Sequence, residues 1–90
     1  MDFSVRIPFV ELLGFELLEM ADGQARLAYT PAPEHLNSFD VTHGGASMTL
    51  MDVAMAHAAR SAEPDMGCVT IEMKTSFMQP AVGRLEAVAT

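Results

Sequence analysis

The sequence predicts an α+β domain in which an antiparallel sheet cups one long helix. Three observations lead there. Strand-like stretches lie on both sides of a single long helical stretch, with a short helix ahead of them. The long stretch, from Gly44 or Gly45 to about Arg60, is apolar on nearly every side, as expected of a helix wrapped by other structure. Finally, 90 residues, half of them hydrophobic, suit one small domain whose core buries proportionally little surface, so a partner chain would help it.

Each element has its own warrant. Ile7 to Leu13 carries Pro8 early and Gly14 just after, which marks a short helix with Pro in its first turn and Gly at its end. Phe15 to Met20 and Gln24 to Thr30 read as two strands, with Ala21-Asp22-Gly23 as the hairpin link. On the second strand Ala25, Leu27 and Tyr29 share one face, and Gln24, Arg26 and Thr30 the other. Pro31 and Pro33 stop it, and a polar loop runs to His43. After the long helix, Ser61 to Gly67 is a loop. Cys68 to Met78 then alternates as a strand, with Val69, Ile71, Met73, Thr75 and Phe77 facing one way. Gln79 to Gly83 turns the chain, and Arg84 to Thr90 begins a further strand in which Leu85, Ala87 and Ala89 share a face. No stop signal follows it, so residues 1–90 are expected to be a single domain lacking its last strands, with an exposed sheet edge that invites pairing.

Composition narrows the function. The net charge is −7 with only five Lys and Arg and no basic run, which argues against nucleic-acid binding. Any phosphate contact would rest on Arg60, Lys74 or Arg84. The single Cys68 excludes an internal disulfide and a cysteine-rich zinc site; flanked by Val69 and Ile71, it reads as an ordinary buried thiol. Glu11, Glu16 and Glu19 interrupt the early apolar stretch, so no secretory signal is visible, and no apolar run is long enough for a bilayer. A cytoplasmic location is the default expectation. The eight Met suit adaptable apolar walls as well as plain core filling.

The chemistry concentrates at Asn37-Ser38-Phe39-Asp40-Val41-Thr42-His43-Gly44-Gly45, followed by Asp52 in the helix. Paired glycines at a helix entry leave N–H groups bare and admit a ligand closely. Asp52 lies among Ala, Met, Leu and Val, where a carboxylate needs a reason. Gly45, Asp52 and Ala59 fall on one stripe, flanked by Met48, Thr49, Met55 and Ala56. Gly45 and Asp52 are nevertheless about 10 Å apart along the axis at 1.5 Å per residue. One small reacting group does not easily touch both, so a site built from them is expected to be shared with a second, antiparallel copy of the helix. Ser47, Asp52 and His57 diverge by roughly 140° per step and form no triad. His35, His43 and His57 share no face and make no metal site; His43 is expected to stabilise the loop entering the helix, and His57 to be structural. Plain readings stand beside these: the glycines relieve crowding against a strand, Asn37 caps its own loop, Asp52 pairs with an Arg, and Thr70 is a structural strand residue.

At these residues the chain resembles the hotdog-fold acyl-CoA thioesterases, in the branch of the phenylacetate-pathway enzymes. The matching text is Asn37, five residues, His43-Gly44-Gly45, six residues, Asp52, together with the stretch from Thr70 to Met78-Gln79-Pro80-Ala81. The resemblance covers nearly the whole chain. It implies an antiparallel sheet wrapped around a long central helix, and a homodimer or homotetramer with shared sites. Asn37 and the N–H of Gly44 or Gly45 would hold the thioester carbonyl or the attacking water. Asp52 of the other subunit would be general base or nucleophile, strengthened as a base by apolar surroundings that raise its pKa. Thr70 matches a position where some members place a water-orienting hydroxyl, but if Val69 and Ile71 face the helix, Thr70 does not reach Asp52. His43, Phe39, Met48, Met51 and Met55 are candidates for the acyl or aryl pocket. The expected activity is hydrolysis of an aryl or medium-chain acyl-CoA, with coenzyme A as part of the substrate and no cofactor. A non-catalytic hotdog module that binds acyl-CoA or a partner is the alternative. A dehydratase of the same fold is disfavoured by the glycine pair and Asp52.

Overall fold

The computed structural model describes residues 1–90. The order is α1 (Pro8–Leu13), β1 (Glu16–Ala21), β2 (Gln24–Tyr29), a 3-10 turn (Pro33–His35), α2 (Gly44–Ala62) and β3 (Leu85–Ala89). The three strands form one antiparallel sheet with β2 in the centre.

Local chemistry explains these elements. Pro8 opens α1, and Gly14 closes it in the left-handed region at φ 75°, its N–H returning to the carbonyls of Val10 and Glu11. Asp22 and Gly23, at φ 52° and 82°, form the two-residue turn of the β1–β2 hairpin, where only residues tolerant of positive φ fit. The Gly23 N–H donates to Ser61 Oγ at 2.8 Å, which ties the hairpin turn to the end of α2.

One face of the sheet meets α2. Leu17, Ala25, Leu27, Tyr29, Ala87 and Ala89 form the inner layer with Leu50, Ala54 and Ala58 of the helix. Alanines on both sides let the helix axis approach the sheet closely. Val10 and Phe15 seal one end, with the Phe15 ring edge-on to Tyr29 at 4.8 Å. On the outer face Arg26 donates to Glu19 at 2.9 Å and Glu86 at 3.0 Å, crossing all three strands. These groups are exposed, so the ladder fixes register more than it stabilises.

Three expectations need correction. Only one side of α2 is covered; Leu50, Ala54, His57 and Ala58 are buried, while Met55 is half-exposed. Residues 68–78 are extended but pair with no strand. Val69 and Ile71 point to solvent, and Met73 and Thr75 turn inward. A bend at Ile71 resets the alternation, so one phase cannot describe the segment. For the same reason Cys68 is exposed, not a buried thiol.

Leu27→Ala is expected to cost about 3 kcal/mol in urea unfolding, because its side chain is fully buried at the centre of the sheet. Burial pushes the Tyr29 hydroxyl above its usual 10.0. The folded state therefore holds that proton more tightly than the unfolded state. This contribution is complete below pH about 10 and fades as pH rises toward the folded value. Urea midpoints should fall above pH about 10, and fall less steeply in Tyr29→Phe.

Candidate active site

The loop before α2 is built around Asn37. Its Oδ1 accepts from the N–H of Phe39 at 2.8 Å and of Val41 at 3.4 Å, and its own N–H donates to Val41 O at 2.9 Å. Asp40 at φ 60° reverses the chain. The loop-capping reading of Asn37 is thus correct for its carbonyl oxygen. The side-chain NH2 group makes none of the chain's hydrogen bonds and is free to donate.

His43 then closes the first turn of α2. Its Nδ1 accepts from the Gly45 N–H at 2.9 Å, and its carbonyl accepts from Ala46 and Ser47. Accepting at Nδ1 places the ring proton on Nε2. The two glycines therefore differ. Gly45 spends its N–H on the cap, so it is not an open donor. Gly44 keeps its N–H free of the chain's hydrogen bonds. Gly44 also has a packing reason to be glycine, because a Cβ there would sit 3.3 Å from Phe77 Cζ. The crowding explanation holds at this position, and its N–H is left without a partner.

Asn37, Thr42, Gly44, Ser47 and Gln79 line one cavity of about 360 Å³. Thr42 is nearly fully buried and its hydroxyl has no partner. Its N–H donates to Ala81 O at 2.9 Å, which ties the helix entry to the Met78-Gln79-Pro80-Ala81 turn. Thr42 and Gln79 escaped the sequence reading as site residues. The only available signal was their place inside the two quoted motifs.

Asp52 sits in a second cavity, of about 380 Å³, with Met55, Ala56, Thr70 and Ile71 among its walls. The Thr70 hydroxyl donates to Asp52 Oδ1. The condition under which Thr70 would miss Asp52, Val69 and Ile71 facing the helix, is not met: both side chains stand in solvent, and Thr70 reaches Asp52. Asp52 is half-buried and pairs with no Arg.

The two cavities share no lining residue. Gly44 and Asp52 stand eight residues apart on one helix, about 12 Å along its axis. A third cavity, of about 490 Å³ and mostly apolar, lies between α2, residues 73–76 and β3; Met51 and Met55 line it. Met48 and Phe39 line none of these three cavities, and Phe39 stands in solvent. His43 faces a separate small cavity with His35 and Thr49. The remaining histidines have structural partners. His35 Nδ1 meets Tyr29 OH at 2.6 Å, and His57 Nδ1 meets Val53 O at 2.8 Å. No three His, Cys, Asp or Glu side chains converge as a metal site would require, and no helix is long and apolar enough to cross a membrane.

Comparison with known proteins fits this geometry. A model of the Thioesterase superfamily matches residues 39–90. A proposed esterase of Archaeoglobus fulgidus is 37% identical over 71 residues, which cover 79% of this chain and 45% of that protein. The chain spans about half the length of the curated relatives it matches. Among solved structures, a conserved protein of Pseudomonas aeruginosa superposes with a TM-score of 0.88 at 32% identity, covering 92% of this chain and 68% of that one. A mutant of the phenylacetic acid degradation protein PaaI of Thermus thermophilus superposes at 0.81 with 31% identity, covering 91% and 70%. The helix-on-sheet architecture is the hotdog fold, and the chain belongs to the Thioesterase superfamily.

Proposed function

We propose that this chain hydrolyses an aryl or medium-chain acyl-CoA thioester to the free acid and coenzyme A, at a site shared between two protomers of a homodimer or homotetramer. The observation that carries this reading is the Thr70–Asp52 hydrogen bond, which holds a half-buried carboxylate at the wall of a mostly apolar cavity. Thr70 spends its one hydroxyl proton on Asp52 Oδ1, so its lone pairs remain to accept from a water beside the carboxylate.

The chemistry follows from the groups at hand. In one protomer, the Gly44 N–H and the Asn37 side-chain amide hold the thioester oxygen at the positive end of α2, where negative charge grows as the carbonyl is attacked. In the other protomer, Asp52 takes a proton from the water that Thr70 orients. The water oxygen bonds to the carbonyl carbon. The tetrahedral intermediate then collapses, the C–S bond breaks, and the thiolate leaves to be protonated. No metal or cofactor enters this sequence. The apolar walls around Met51 and Met55 supply a berth for the acyl group.

A second reading is supported by the separation of the two cavities in one chain. On this reading the protein is a non-catalytic hotdog module that binds acyl-CoA. Calorimetry with a coenzyme A thioester distinguishes them: heat of binding with no released thiol favours the module.

Asp52→Asn and Asp52→Ala should each lower kcat/KM at least ~100-fold, read as thiol release over a thioester panel. Wild-type turnover in both would overturn the mechanism. Thr70→Val should lower kcat roughly tenfold with little change in KM, because it orients water without binding substrate. A loss carried by KM alone would contradict that role.

A further inference from the structure

We infer that Cys68 is a modification site for low-molecular-weight peptide disulfides of the glutathione class, captured in a cavity that His57, Arg60 and Asp65 line. The inference goes beyond hydrolysis and does not depend on it.

A cavity of about 560 Å³ lies beside the end of α2, walled by His57, Arg60, Asp65 and Cys68 together with Val5 and Ile7. Its volume is within the ~300–1,000 Å³ range of small-molecule sites. His57 is only 2% exposed. Its Nδ1 stands 2.8 Å from Val53 O, an oxygen that can only accept, so Nδ1 carries the ring proton. Nε2 therefore holds a lone pair, and this buried atom has no partner. The Phe3 ring lies edge-on to the imidazole, with centroids 5.0 Å apart, and offers it no polar group. A buried acceptor left without a donor is costly, and an N–H from a ligand would relieve that cost.

The other walls carry complementary chemistry. Arg60 is half-buried in the last turn of α2, where the helix dipole favours a cation, yet it pairs with no carboxylate. Asp65 is exposed and makes no ion pair either. Cys68 is a free, exposed thiol. A peptide disulfide matches all four groups. Its carboxylate pairs with Arg60, its ammonium with Asp65, and an amide N–H donates to His57 Nε2. Its disulfide then meets Cys68. The Cys68 thiolate attacks one sulfur, the new S–S bond forms, and the disulfide of the reagent breaks. The departing glutathione thiolate takes a proton. Cys68 is oxidised to the mixed disulfide, and the released half of the reagent is reduced. Ala56 and Cys68 also line the Asp52 cavity, so the attached peptide stands at its wall.

The rate of Cys68 modification, followed by intact mass, tests this capture. The full chain is treated separately with oxidised glutathione and with cystamine, a cationic disulfide without carboxylate or amide. Each rate is divided by that of the same chain unfolded in urea. An ordinary exposed thiol on a protein of net charge −7 reacts faster with the cation. Capture reverses that order: the glutathione ratio is expected to exceed the cystamine ratio by about fivefold, the worth of one good ion pair. Arg60→Gln should slow the glutathione reaction by about the same factor without slowing that of cystamine. His57→Phe occupies the same buried place without an acceptor and should likewise slow glutathione alone. Far-ultraviolet dichroism checks both variants, and Arg60→Gln carries the test if His57→Phe does not fold. A cystamine ratio equal to or above the glutathione ratio overturns the inference. So does either variant, folded, that keeps the wild-type glutathione rate.

Discussion

The closure of the first turn of α2 by His43 is the constraint on which the site depends. A helix begins with four N–H groups that lack intrahelical partners. Here His43 gives its own N–H to His35 O, its carbonyl takes that of Ala46, and its imidazole takes that of Gly45. One donor, Gly44, is left over, beside the Asn37 amide and at the positive end of a 19-residue helix. The cap thus leaves one first-turn amide without a partner in the chain. His43 also lines the small cavity shared with His35 and Thr49.

Everything else holds this entry in place. The alanine-rich inner layer seats α2 against β2, so the helix cannot slide without opening the core. The Thr42–Ala81 bond fixes the loop to the far end of the 68–82 segment, and a Cβ at Gly44 would crowd Phe77. The same segment brings Thr70 to Asp52. One irregular stretch of chain therefore lines both cavities, although it lies in no strand ladder.

The separation of the two cavities along α2 has a simple origin. A straight helix advances 1.5 Å per residue, and eight residues cannot be folded back within it. Within one chain the Gly44 N–H and the Asp52 carboxylate therefore stay about 12 Å apart along the axis.

Sequence periodicity and turn chemistry alone determined α1 with its Gly14 cap, the Asp22-Gly23 hairpin, the inward faces of β2 and β3, and α2 to within two residues of its end. These follow from local rules: positive φ at turns, Pro at helix starts, and side-chain alternation along a strand. The spacing from Asn37 to Gly44 and Asp52 also identified the residues around which the cavities form. Tertiary structure decided the rest. Alternation grouped Val69 and Ile71 with Met73 and Thr75 and left open which face meets the helix; the bend at Ile71 splits that group, so the first two stand in solvent and the last two are partly buried. Two adjacent glycines look equivalent in sequence, yet only the folded loop brings His43 Nδ1 to one of them. Met51, Met55 and Phe39 are all apolar, but whether each lines a cavity or meets water depends on which surfaces α2 and the segment after it leave uncovered.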